Sequence, residues 1–321
     1  MRAYLGLDIS KATIDACLID ERGEHAKKVS NSAKGFAQIK RWLANRKAAT
    51  VHVCMEATGT YYEGVAEALS DAGLVVSVVN PHQIKSFGDS LLMRTKTDAV
   101  DASLIARFCE RYDPPAWIPP TPEQRKLRGL VRFCGNLRNT RASYLVQRQT
   151  PNLIREVADS IDEVVASLDA QIERLESEID DFIDNDPDLR KRRDLLCSVQ
   201  GIAKTTAAVI LVEAPRLEEF SGAKAVSAFA GLSSRTRSSG TSVRGRGAIC
   251  KAGNSRLRCA LWWPAIVGIR HNPRLKQLAE RLRAHGKPNK KIIVAAMRKL
   301  LVLAYGVLKS GRPFDGSLTT S

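Results

Sequence analysis

Two carboxylates, Asp98 and Asp101, stand three residues apart in the stretch Arg94-Thr-Lys-Thr-Asp-Ala-Val-Asp-Ala102. The apolar positions Ala99, Val100, Leu104, Ile105 and Phe108 predict a helix there, and residues at i and i+3 share one of its faces. Thr97 fits the N-cap and acids suit a first turn, so a capped, solvated helix start explains the pair taken alone. Two further acids change its meaning. Asp8 lies inside a strand pattern among Leu5, Leu7 and Ile9, where an aspartate is costly to bury unless it is paired or binds a metal. Glu56 closes another strand, and if those two strands are neighbours the two acids lie side by side. With the helix packed on that sheet, four carboxylates meet at one point. Like charges so close repel, so the set calls for divalent cations with hard oxygen ligands, Mg²⁺ or Mn²⁺. Two such ions about 3.5–4 Å apart clamp the attacking and leaving oxygens of a phosphodiester displacement. Singly, Asp8 could pair with Lys11 across a turn, and Glu56 could be solvated ahead of the Ala-Thr-Gly turn. It is the set that points to metal chemistry.

The elements that must position these acids follow from the pattern. Residues 3–9 and 13–20 read as strands joined by a polar turn at Ser10-Lys11, with a third strand near His25–Ser30. Residues 33–46 form an amphipathic helix with Phe36, Ile39, Trp42 and Leu43 on one stripe. Thr50–Ala57 is a strand, Tyr61–Ala72 a helix closed by Gly73, and Leu74–Val79 a strand stopped by Asn80-Pro81. A meander followed by α/β crossovers implies a mixed sheet with helices on its faces. Four prolines between Asp113 and Pro120 then mark a boundary, giving a first domain of 1–120.

Residues 122–150 read as a basic helix, and Ile161, Val164, Leu168, Ile172, Leu175, Ile179 and Phe182 form a coiled-coil seam that Asp186-Pro187 ends. This helical segment, 121–190, is either a hairpin or a dimer seam, with oligomer contacts favoured. The remainder, 191–321, is mainly helical. Gly201, in Val199-Gln-Gly-Ile-Ala-Lys-Thr-Thr-Ala-Ala208, suits either a helix-hairpin-helix offering backbone N–H groups to phosphate or a plain packing corner. Leu217–Leu232 reads as a helix. Ser233–Gly253 is rich in Ser, Gly and Arg without periodicity, a texture that inside a compact region is functional or disordered. Helical periodicity resumes at Leu257, and again over Leu275–Leu282 and Ile292–Leu308. Trp262-Trp263 would be helix core or a platform for an unpaired base.

Composition bounds the partners. The 321 residues allow about two domains with real cores. No run of about 18 apolar residues predicts a membrane span, and the N-terminus passes directly into a strand pattern rather than a signal peptide. The seven cysteines (17, 54, 109, 134, 197, 250 and 259) never fall in a CxxC spacing, which argues against disulfides and zinc and for a cytoplasmic protein. From Ser233 onward there are 19 Lys/Arg against Glu280 and Asp315, while the rest of the chain holds 31 basic and 32 acidic residues. The whole net charge of +16 therefore sits in the last quarter, which is attracted to polyanions, nucleic acid above all.

Leu-Gly-Leu-Asp8-Ile-Ser-Lys, Met-Glu56-Ala-Thr-Gly-Thr-Tyr, Val-Asn80-Pro81 and Lys96-Thr-Asp98-Ala-Val-Asp101-Ala resemble the DEDD transposases of bacterial insertion sequences, which include the Piv/MooV-like recombinases. The resemblance continues through Gly201-Ile, Phe229-Ala-Gly-Leu232, Ser239-Gly240 and Lys251-Ala-Gly-Asn-Ser-Arg-Leu-Arg258. It implies an α/β RNase H-like (RuvC-like) N-terminal domain, a helical coiled-coil segment and a mainly helical basic C-terminal domain. It also implies Mg²⁺ (two ions, with Mn²⁺ able to substitute) held by Asp8, Glu56, Asp98 and Asp101, and a serine before a glycine, matching Ser239, that attacks DNA. Ser238 and Ser242 flank that position. Donor and target DNA would be selected by a structured bridge RNA, and the protein would act as a homo-oligomer, dimer or tetramer, on the nucleoid.

A serine hydroxyl needs a base or a metal to activate it, and none of the five histidines (25, 52, 82, 271 and 285) is near it in sequence, so the acid cluster is the simplest activator. Arg235, Arg237, Arg244, Arg246 and Lys251 around the serine, with Arg256 and Arg258 beyond, would bind nucleic-acid phosphates. Because serine and acids fall in different domains, a site composed between protomers is one expectation. A RuvC-like nuclease using water is the alternative reading, and a non-catalytic nucleic-acid scaffold a third.

Overall fold

Odd and even residues of the first strand go to opposite faces of a sheet, and this alternation organises the N-terminal part of the chain. The computed structural model describes residues 2–46, 50–57, 59–91, 98–235, 238–239, 243–244 and 248–316, with the backbone alone at 98–99, 235, 238–239, 243–244 and 248. Of the residues singled out above, Arg94, Lys96, Thr97, Arg237, Gly240, Ser242 and Arg246 lie outside the described residues. The chain forms two compact units, Met1–Pro120 and Thr121–Ser321.

In the first unit, β1 (Arg2–Ile9), β2 (Thr13–Asp20) and β3 (Gly23–Ser30) make an antiparallel meander. β4 (Thr50–Glu56) and β5 (Val75–Val79) extend it in parallel, giving the order β3-β2-β1-β4-β5. This is the mixed α/β sheet expected. Leu5, Leu7, Val53 and Met55 point to one face and pack with Ile39 and Leu43 of α1 (Ala33–Asn45) and Val65 and Leu69 of α2 (Glu63–Ser70). The other face carries α3 (Pro81–Ser90) and α4 (Asp98–Tyr112), whose Ile84, Phe87, Leu104, Ile105 and Phe108 close over Cys54 and Val79. Asn80-Pro81 ends β5, as expected, and also begins α3. The Asn80 side chain accepts from the His82 N–H and Pro81 takes the first helical position, where its missing N–H costs nothing.

The second unit opens on α5 (Pro122–Arg148), started by a full capping box between Thr121 and Gln124. It turns back as α6 (Arg155–Asp184), and the pairs Arg138–Glu176, Arg141–Asp169 and Arg148–Asp162 fix the two helices antiparallel. Within the chain α5 lies along this seam, and Ile161, Leu168, Ile172, Leu175 and Ile179 are buried, while Val164 stays 36% exposed. The base of the hairpin (Leu127, Val131, Ile179, Ile183) shares one core with α7 (Pro187–Cys197), α8 (Lys204–Glu213), α9 (Ala223–Phe229) and the helices beyond. Those are α10 (Ser255–Ala260), α11 (Trp262–His271), α12 (Pro273–Ala284) and α13 (Asn289–Ser310). The helix expected over Leu217–Leu232 is split into a single 3₁₀ turn, Leu217–Glu219, and α9, because Ser221-Gly222 interrupts it. Among the described residues no helix is long and apolar enough to cross a membrane.

Candidate metal centre and nucleic-acid interface

The strand register fixes where the acids stand. β1 and β4 run parallel with Leu7 opposite Met55, so the next position of each strand sets Asp8 beside Glu56. Across the turn at 10–12, Asp8 pairs with Asp15, and Asp15 with Lys28 of β3. Glu56 pairs in turn with Val79. One row therefore crosses the sheet as Val79, Glu56, Asp8, Asp15, Lys28, all on the face that α4 covers. Lys28 Nζ binds Asp15 Oδ2 at 2.8 Å and offsets part of the negative charge. Asp8 and Glu56 sit half-buried at the C-terminal ends of parallel neighbours, the usual place for a site in such sheets.

α4 reaches this row because Gly6 lets it. A Cβ on Gly6 would collide with the Ala102 carbonyl oxygen and the Ala106 nitrogen, so helix backbone lies directly on strand backbone. The helix direction is set at its other end. Cys109 Sγ lies 3.8 Å from the His52 carbonyl oxygen, and Asp113, just past the helix, takes an N–H bond of 3.0 Å from Arg2 Nη1. The Arg2 guanidinium holds the Asp113 carboxyl below its ordinary range. His52 adds a 3.0 Å bond from Nδ1 to Asp113 and a 2.8 Å bond from Nε2 to Ser77, whose hydroxyl donates to Pro114 O and Pro115 O. With its C-terminus pinned at the start of β1 and its middle on Gly6, α4 carries Asp98 and Asp101 toward the Asp8 end. Asp101 is half-buried, and Asp98 is the first helical residue, its side chain outside the described set.

Carboxylate oxygens alone, from β1, β4 and α4, are by their chemistry the donors a hard divalent cation prefers. Among the described residues no three of His, Cys, Asp and Glu close on a point able to hold an ion, and the Asp98 side chain is not among them. The fifth acid, Asp15, does not stand out in the sequence, although counting outward from the Ser10-Lys11 turn places it opposite Asp8.

In the second unit, Ser239 lies on a ribbon. β6 (Ser234–Arg235) pairs with β9 (Ala248–Ile249), and nested between them β7 (Ser238–Ser239) pairs with β8 (Val243–Arg244), Ser239 opposite Val243. Arg235, Ser238, Ser239 and Arg244 thus stand, by backbone, on two short antiparallel strand pairs. The two glycine motifs flanking this segment pack closely. Gly231, at φ 67°, has Arg258 Nη1 2.6 Å and the Lys251 carbonyl carbon 2.9 Å from where a Cβ would be, and Gly253 packs on Phe229 O and on Gly231 N. Arg258 donates to Ala230 O at 2.9 Å and to Lys251 O at 3.3 Å, so this arginine is engaged inside the fold, whereas Lys251 and Arg256 are exposed.

Asn254 caps α10 by accepting from Leu257 N at 2.9 Å and donates to Glu213 Oε2 at 2.8 Å. Glu213, 3% exposed, receives the Arg132 fork at 2.7 and 3.1 Å. Burial raises the Glu213 carboxyl, but Arg132 and Asn254 outweigh it and hold it below its ordinary value. Neither Glu213 nor Arg132 stands out in the sequence. The Gly201 turn is a packing corner: at φ 108° it presses on Pro264 O and Gly268 of α11. Ala203–Thr205 beyond it remain exposed.

Comparison with known proteins agrees along the whole chain. A family model described as a transposase, of the DEDD type of IS110, matches residues 5–158, and one described as the transposase IS116/IS110/IS902 family matches 193–280. The pilin gene-inverting proteins of Moraxella bovis and Moraxella lacunata are each 34% identical over 326 residues, covering 98% of this chain and 98% of theirs. An uncharacterized 43.6 kDa protein of insertion element IS110 from Streptomyces coelicolor is 29% identical over 124 residues, 39% of this chain and 30% of that one. The solved T. thermophilus RuvC in complex with a Holliday junction substrate aligns with 35% of this chain and 96% of its own at 16% identity and TM-score 0.25, too low to bear on fold or function.

Proposed function

The chain belongs to the IS116/IS110/IS902 transposase family, and on that premise we propose that it recombines DNA by pairing a metal-binding acid row with a serine nucleophile. It is an enzyme that acts on DNA, as a transposase or DNA-inverting recombinase. The register that sets Asp8 beside Glu56, under the helix bearing Asp98 and Asp101, carries the reading. These four acids would hold Mg²⁺, two ions by the chemistry of phosphodiester displacement. When bound, the metal would neutralise charge on the scissile phosphate and favour the ionised serine.

Ser239 Oγ then attacks phosphorus, a sugar oxygen departs with the electron pair and takes up a proton, and a serine phosphodiester remains. Attack by a second sugar hydroxyl reverses the step, frees Ser239 and rejoins DNA without ATP. The exposed Lys251 and Arg256, with Arg235, Arg237, Arg244 and Arg246 near Ser239 in sequence, supply positive charge for the backbone. A bridge RNA of the element would choose donor and target by base pairing, so no side chain need encode the target. Acids from one protomer and Ser239 from another would complete the site in a homo-oligomer. The reading is supported by the strand pairing that sets Ser239 opposite Val243 and by the close packing at Gly231 and Gly253.

The test is strand exchange on a plasmid bearing an element junction, with Mg²⁺ and the element's RNA. Asp8→Asn and Glu56→Gln should abolish every cleavage, and Ser239→Ala should abolish exchange. Exchange that survives Ser239→Ala would refute the serine. Nicking that survives it while exchange is lost would favour water as nucleophile, as in a junction-resolving nuclease.

A further inference from the structure

α10 and α11 form nearly one helix, stepped at Leu261 because Pro264 has no N–H for the Ala260 carbonyl. Leu261 keeps helical angles, φ −85° and ψ −7°, so side-chain periodicity runs through the step. One stripe, Leu257, Leu261, Ala265 and Gly268, is buried against the core, as the helix needs. The opposite stripe is Arg256, Cys259, Trp263, Val267 and Arg270, every member exposed and spaced by three or four residues. Trp263 is 72% exposed, the largest fraction among the described large apolar side chains, and Val267 is 47% exposed. Its neighbour Trp262 packs on the core. Neither Arg256 nor Arg270 is in an ion pair within the described residues, whereas Arg132, Arg138, Arg141, Arg148, Arg192 and Arg193 of the same unit are all engaged in one.

An exposed indole between two exposed guanidinium groups has a specific chemistry. We propose that this stripe is a stacking platform for an unpaired nucleobase, with Trp263 taking the base and Arg256 and Arg270 the phosphates on either side. Stacking on an aromatic face accepts any base, and flanking cations follow the strand. A second protein is the poorer fit. One indole and one isopropyl group fall well short of the roughly 800 Å² that each partner of a stable interface buries. The charge argues the same way, since the segment from Ser233 on has 19 basic residues and two acids. The stripe begins two residues after Asn254, which is anchored at the base of the Ser239 ribbon. A strand held there would thus pass the ribbon. The inference rests on the reading of the chain as an enzyme of DNA strands, which meets unpaired bases when a duplex is opened.

The experiment uses the full chain and labelled oligo(dT), oligo(rU) and a duplex of equal length, with anisotropy to report affinity. Trp263→Ala should weaken oligo(dT) binding by about tenfold, the size of one base–aromatic stack. Trp263→Phe should restore most of it, and duplex affinity should change less than twofold. Trp263→Ala that binds oligo(dT) as wild type does, or that weakens duplex and single strand equally, would overturn the proposal. So would an altered mass in light scattering with unchanged oligonucleotide affinity, which would make the stripe a self-contact. Comparison of dT with rU shows whether the strand held is DNA or RNA. Failure of the recombinase reading looks different: wild-type protein would form no covalent DNA adduct while still losing oligonucleotide affinity on Trp263→Ala.

Discussion

Gly6 is the residue on which the acid site depends most and which carries no chemistry of its own. Any side chain there meets the backbone of α4 at Ala102 and Ala106. Gly6→Ala should cost about 1–3 kcal/mol of stability through overpacking, read by urea unfolding. On the proposed metal site, Mg²⁺ should raise the wild-type thermal midpoint, and because the helix that must move carries Asp98 and Asp101, the same variant should lose most of that rise. Destabilisation with that rise intact would show that the acids do not depend on this packing. Glu213 makes a second prediction. Its carboxyl is held below the ordinary glutamate value of 4.5, so its contribution is complete above that pH and is lost as pH falls through the folded-state value. Glu213→Gln should cost about 3 kcal/mol at pH 7 by removing the buried negative charge that the Arg132 fork and Asn254 bind. The gap to wild type should close in acid, below pH 4.5, and a gap constant with pH would contradict the ion pair.

At the level of elements, α5 starts on a reciprocal cap, Thr121 with Gln124, and runs 27 residues with its distal half packed mainly on α6. Thr121→Ala should cost about 1 kcal/mol, visible as faster amide exchange in the first turn. Much of this level is legible in the sequence. Leu5, Leu7 and Ile9 alternate with Gly6 and Asp8, and the meander and crossovers follow from such patterns together with the turn residues. The i, i+3 spacing of Asp98 and Asp101 places both at the head of a helix. What escapes is information held between elements. Asp15 becomes notable only once the hairpin register sets it against Asp8, and Glu213 only once Arg132 and Asn254 converge on it. The seam over residues 161–182 shows that a partner helix is required but not that α5 provides it. The segment 233–253 has no periodicity to read, and the strands described in it are each two residues long.

For the whole molecule, the charge divides inside the second unit rather than between the two units. Up to residue 232 basic and acidic side chains balance and many form ion pairs, while the last quarter carries the excess. On α12, α13 and the turn between them, Arg281, Arg283, Lys287, Lys290 and Lys291 are all exposed. Duplex affinity should therefore fall steeply with salt, and Lys287→Gln, Lys290→Gln and Lys291→Gln together should flatten the log–log slope by about 0.9 for each phosphate no longer neutralised. An unchanged slope would place the DNA elsewhere. If acids and serine are drawn from different protomers, mixing Asp8→Asn with Ser239→Ala protein should recover strand exchange that neither shows alone, and inert mixtures would confine the site to one chain. The division of labour itself is tested at one atom. Wild-type protein incubated with Mg²⁺, guide RNA and a cleavable duplex is denatured, digested and searched by mass spectrometry for a peptide bearing a nucleotide. The account predicts a phosphodiester on Ser239, absent in Ser239→Ala and retained in Ser238→Ala and Ser242→Ala. Cleaved DNA with free phosphate ends and no adduct, or an adduct on another residue, would contradict it.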